Sequence, residues 1–136
     1  MAYHDKHVWN GQTADDLSAT GTHADIFAPG EKVIVHSVGA VVTTVMDGAA
    51  TIAADLVDEG TRGDANGGSI TIPTTTAVGK KLVDTTSTIF PLTVEAGDHI
   101  YFQVTSAATS GGCVYSVTYE LIQETIANDD DVTESA

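Results

Sequence analysis

The stretch Asp98-His99-Ile100-Tyr101-Phe102-Gln103-Val104 alternates with period two and sets Ile100, Phe102 and Val104 on one face. After the polar loop Ser106-Ala107-Ala108-Thr109-Ser110-Gly111-Gly112, the alternation resumes. Cys113, Tyr115, Val117, Tyr119 and Leu121 share one face, and Val114, Ser116, Thr118 and Glu120 share the other. Such alternation is the mark of a half-buried strand, and two runs joined by a Gly-containing loop predict a hairpin. Working upstream, Ile34, His36, Val38, Ala40, Val42, Thr44 and Met46 repeat with the same period. The turn signal Asp47-Gly48 then leads into Ala50, Ile52, Ala54 and Leu56, which predicts a second hairpin. Gly39 inside the first run predicts a bulge or bend.

Shorter runs fill the middle. Ile70 and Ile72 mark a strand that Pro73 ends, Leu82 and Val83 begin another, and Phe90, Leu92 and Val94 are spaced at two around Pro91. A proline there places that strand at an edge or a bulge. Seven or eight short strands with a turn signal about every ten residues predict an all-β fold, an antiparallel β-sandwich. Jelly-roll-like and immunoglobulin-like topologies share this local pattern, and both stay open. Ala28-Pro29-Gly30-Glu31-Lys32-Val33 echoes Glu95-Ala96-Gly97-Asp98-His99-Ile100. The echo reads as a recurring tight turn into a strand, glycine supplying a positive φ.

The flanks differ from this region. Residues 1–27 show no sustained period and read as an arm or loop, with Thr13-Ala14-Asp15-Asp16 able to cap one short helix that Gly21 would stop. Val8 and Trp9 are the sizeable apolar pair of that segment. Trp9 reads first as a plug over one end of the core, and otherwise as an anchor in a neighbouring subunit. The sandwich is expected over 28–126, and 127–136, with Asp129-Asp130-Asp131, reads as a disordered acidic tail.

The length of 136 residues fits one domain. The formal charge is −14, with 19 Asp and Glu against 5 Lys and Arg. So few cations cannot track a nucleic-acid backbone or an anionic membrane surface, so neither partner is expected. No apolar run reaches the roughly 18 residues of a spanning helix, and Met1–His7 lacks the pattern of a secretory signal. A single Cys excludes an internal disulfide framework.

No catalytic constellation stands out, and no cofactor or metal is expected. Cys113 beside two glycines carries no nucleophile signature and reads as a small core hydrophobe. His4 and His7 flank Asp5 like a chelating pair, but no third ligand is placed. His23, His36 and His99 stand apart in the sequence; His36 falls on the apolar face of its run. Asp64-Ala65-Asn66-Gly67 faintly resembles a calcium loop without its bidentate glutamate. Arg62-Gly63-Asp64 spells an adhesion tripeptide on an expected loop. Glycan stacking would have to use Tyr101 and Trp9, because Phe102, Tyr115 and Tyr119 read as inward.

Val94-Glu95-Ala96-Gly97-Asp98-His99-Ile100-Tyr101-Phe102-Gln103-Val104-Thr105, followed by Gly111-Gly112-Cys113-Val114-Tyr115-Ser116-Val117-Thr118-Tyr119-Glu120-Leu121, is similar to the closing hairpin of small tailed-phage structural proteins. The Thr/Ala/Gly-rich strands and polar N-terminal arm resemble them too. The resemblance implies a non-enzymatic capsid decoration or cement protein on the outer surface of a virion. Its partner would be the major capsid protein, and such proteins are often homotrimers. A head–tail connector, a tail component and a carbohydrate-binding module are the alternatives. Tyr3, His4, Val8 and Trp9 are the candidate interface.

Overall fold

The computed structural model describes residues 6–58, 61–62 and 66–122. Eleven strands follow one another: β1 (Lys6–Asn10), β2 (Asp15–Asp16), β3 (Gly21–Phe27), β4 (Val33–Asp47), β5 (Ala50–Asp58), β6 (Thr61–Arg62), β7 (Ser69–Ile72), β8 (Lys81–Asp84), β9 (Leu92–Val94), β10 (His99–Ser106) and β11 (Ser110–Leu121). They form two antiparallel sheets packed as a β-sandwich, with no helix among the described residues. The first sheet runs β1-β11-β4-β8, with β2 on β11 and β9 on β4. The second runs β3-β10-β5-β6, with β7 on β5.

The alternating faces fall where the periodicity puts them. Ile52, Ala54, Ile100, Phe102, Val104, Cys113, Tyr115 and Val117 are buried between the sheets, and Tyr119 and Leu121 pack against them. The strand partners differ from expectation. β10 and β11 do not form a hairpin, because β10 pairs with β3 and β5 while β11 pairs with β1 and β4. Asp47-Gly48 likewise carries the chain from the first sheet to the second. The β4–β5 arch therefore lies antiparallel along the β10–β11 arch, and each arch gives one strand to each sheet. This rolled pairing explains the match in face and the mismatch in partner: alternation reports which side is buried, not which strand is the neighbour.

Two further corrections follow from the register. Ile34 and His36 do not share the inward face with Val38, Ala40 and Val42. The residues buried ahead of Val38 are Val33 and Val35. A bulge opposite Thr118 and Tyr119 inserts one residue between Val35 and Ser37, which turns Ile34 and His36 outward. Gly39 is not the bulge. It sits in register between Ser116 and Val83, and a Cβ there would lie 2.9 Å from the Leu82 carbonyl oxygen. Glycine is required because β8 approaches too closely for a side chain.

Residues 6–27 contribute three strands, where an arm with a short helix was expected. Asp15–Asp16 pairs with Gly112–Cys113, and Gly21 opens β3 rather than closing a helix. The expected echo is present: Gly30 and Gly97 have φ of 75° and 91° and lead into β4 and β10. The expected tail at 127–136 lies outside the described residues.

Candidate functional site: the first edge strand and the clasps that close the sandwich

β1 forms one edge of the first sheet, with Lys6 to Asn10 opposite Glu120 to Ser116 of β11. Its side chains divide by parity. Val8 points away from the core and is 52% exposed. Trp9 points inward, its indole parallel to the Phe102 ring at 6.4 Å and edge-on to Phe27 at 5.8 Å. Phe102 stacks in turn on Tyr115 at 4.3 Å, and Phe27 packs on Tyr119 at 5.0 Å. Trp9 is thus the outermost ring of an aromatic column that joins the two sheets. Tyr3 and His4 lie outside the described residues. His7 rests on the Tyr119 ring at 5.5 Å.

Beyond β1 the chain is tied across the open side of the sandwich. The Gly11 amide donates to the Tyr115 carbonyl. One oxygen of Asp25 in β3 accepts from the amides of Gln12 and Thr13, both at 2.9 Å, and from the Thr13 hydroxyl at 3.0 Å. His23 lies between two carboxylates, Nδ1 being 3.5 Å from Asp15 and Nε2 3.3 Å from Asp25. The Tyr115 hydroxyl donates to the other oxygen of Asp15 at 2.6 Å. The Thr13 amide, with its hydroxyl and His23 behind it, holds the Asp25 carboxyl below the usual carboxylate range despite some desolvation.

The opposite side is closed by Asp84 of β8, which accepts from the Ser69 amide of the second sheet at 2.7 Å and from the Thr86 amide at 2.9 Å. The Thr86 hydroxyl adds a third bond. Partial burial pushes this carboxyl up, but the three donors outweigh it and the net shift is downward. A sandwich leaves two open sides where edge strands of different sheets meet. Here an aspartate bridges each.

The other residues whose chemistry could matter are likewise buried or engaged. Cys113 is buried, and burial pushes its thiol up to about 12, so it stays protonated at neutral pH. Burial raises the Tyr115 phenol too. His36 does not stand alone, since it meets Glu120 at 2.5 Å on the outer face of the first sheet. Asn66, from the calcium-like stretch, turns its amide onto the Leu56 backbone. Gly63, Asp64 and Ala65 lie outside the described residues. No group of three metal-ligating side chains occurs among the described residues. A shallow cleft of about 400 Å³ opens beside β2, bordered by Asp15, Asp16, Ser18, Thr44 and Thr109.

The grouping of Thr13, Asp15, His23 and Asp25 was not read from the sequence, although a signal was there. His23, Asp25 and Phe27 are spaced at two, so polar residues occupy the face of β3 that Phe27 buries. Polar side chains on a core-facing parity require partners.

No protein-family model matches the chain, and no curated protein matches it. Among solved structures it is similar to a chain of "Cyanophage Pam1 capsid asymmetric unit", with 20% identity over 88% of this chain and 86% of that one and a TM-score of 0.47.

Proposed function

We propose that the protein is a non-enzymatic structural subunit of a phage virion, seated on the outer surface of the capsid as a cement or decoration protein. The observation that carries this reading is how its reactive side chains are used. Tyr115, Asp15, His23 and Asp25 are bound to one another or to backbone in closing the sandwich and Cys113 is buried, while β1 offers an edge without acids. A subunit that braces a shell needs such a rigid body and a contact edge. A net charge of −14 keeps it from competing for packaged DNA. The contact falls on Val8 and on the segment with Tyr3 and His4 that leads into β1. The partner is the major capsid protein, and the copies act as a homo-oligomer, a trimer by the resemblance.

The carbohydrate-binding alternative loses its platform. The Trp9 indole is stacked against Phe102, and Tyr101 is only 6% exposed. The test is co-sedimentation of the purified protein with shells stripped of it. Removal of residues 1–5 combined with Val8→Asp is expected to abolish binding while the fold persists. Undiminished binding would remove this edge from the account.

A further inference from the structure

Lys80 and Lys81 are two of the five cations in a chain of −14, and they adjoin one another at the entry to β8. Among the described residues no carboxylate pairs with either. No acid occurs from Ser69 to Val83 or from Val33 to Met46, two stretches that the backbone lays side by side. Lys81 stands opposite Val41. The pairing runs on through bonds of Val42 with Gly79 and Lys80, and of Met46 with Thr75 and Thr76. Ala77 and Val78 therefore lie alongside Thr43, Thr44 and Val45. Val78 is 62% exposed and Val45 55%. Of the acids that bound the two stretches, Asp84 is held by the Ser69 and Thr86 amides, and Asp47 ends β4. A cationic and apolar patch thus stands on a strongly acidic molecule.

We infer that this patch binds the acidic segment Asp129-Asp130-Asp131-Val132 of the same chain, which lies beyond the described residues, with the aspartates against Lys80 and Lys81 and Val132 toward Val45 and Val78. Opposite charge draws the two together, and reach selects which acids arrive. β11 ends at Leu121, opposite Val33. From Val33 to Val41 the β4 strand advances eight residues, about 26 Å. Eight residues also separate Leu121 from Asp129, and ten separate it from Asp131, so an extended chain spans about 26–36 Å. Glu124, three residues on, falls short. Asp129 to Asp131 are the first carboxylates beyond Leu121 that can meet the lysines. Lys6, opposite Glu120, and Lys32, next to Val33, flank the exit from β11, where Glu124 is the acid within range. Tethering supplies an effective concentration on the order of millimolar, so weak surface attractions suffice, and salt opposes them. The contact belongs to the free chain, and no shell enters its test.

The test is zero-length carbodiimide cross-linking of the full chain, mixed with an isotope-labelled copy, at about 0.02 M and about 0.5 M salt. Mass spectrometry is expected to find Lys80 or Lys81 joined to Asp129, Asp130 or Asp131 within one isotopic chain, with a yield at least about fivefold lower at high salt. Amide NMR supplies a readout that keeps the lysines. Asp129→Asn, Asp130→Asn and Asp131→Asn combined should shift the resonances of residues 41–45 and 77–83 and leave those of Lys6 and Lys32 in place. Lys80→Gln with Lys81→Gln should lower the heteronuclear NOE of the three aspartates. Thermal unfolding of each variant checks that the fold persists. Cross-links from the aspartates chiefly to Lys6 or Lys32, or between differently labelled chains, overturn the inference. So does the absence of any cross-link from the aspartates, or a triple variant whose shifts miss residues 41–45 and 77–83.

Discussion

Asp25 gathers three hydrogen bonds from Gln12 and Thr13 and a fourth with His23, Asp84 gathers three, and each holds one open side of the sandwich. Both carboxyls titrate below their ordinary value of about 3.9. A carboxyl depressed in the folded state contributes stability that is fully present above its unfolded value and is lost as pH falls through the folded value. The urea midpoint is therefore expected to hold steady from neutrality to about pH 4 and to drop below it. Asp84→Ala should cost about 1–2 kcal/mol at pH 7, discounted for partial exposure, and should flatten the acid limb. An unchanged acid limb would assign that loss to other carboxylates. Cys113 gives a second residue-scale prediction. With its thiol up at about 12 and no exposed surface, it should react with a thiol reagent only on unfolding. Prompt labelling of the native protein would contradict its placement.

At the scale of elements, β1 and β8 are where the account is most exposed to test. Trp9→Ala removes the outer ring of the aromatic column and should cost about 2–3 kcal/mol, less than a fully buried aromatic. Because Trp9 is the single Trp, its emission should shift to the red on unfolding. Gly39→Ala should cost about 1–3 kcal/mol by forcing β8 away from β4, and amide exchange along Lys81–Asp84 should speed up with it. Exchange unaffected at β8 would show that the strand can shift to accept a methyl group.

The same elements show what a sequence reveals. Buried faces were legible in β5, β10 and β11 because alternation is a local property of one strand. The partners of those strands were not legible, because an arch between sheets and a hairpin within one leave the same trace of turn and alternation. His36 was misplaced because a bulge adds one residue to β4 and reverses every face beyond it. Residues 6–27 concealed three strands because β1 and β2 are short, and β3 carries His23 and Asp25 where apolar residues would announce a core face. The clasp itself joins residues as far apart as Asp15 and Tyr115, which only the rolled topology brings together.

At the scale of the whole molecule, Asp15, His23, Asp25 and Asp84 serve to close the two sides of the sandwich. On the proposed reading the body serves by contact, and many weak symmetric contacts sum to firm attachment. Position in the particle follows from copy number, because a decorating subunit must recur across the shell, whereas a connector or tail component is present in a handful of copies. Quantitative mass spectrometry of density-purified particles, counting this chain against the major capsid protein, measures that directly. The account predicts copies on the scale of the shell protein. A handful of copies would move the chain to the connector or tail, and its absence from particles would contradict the virion role.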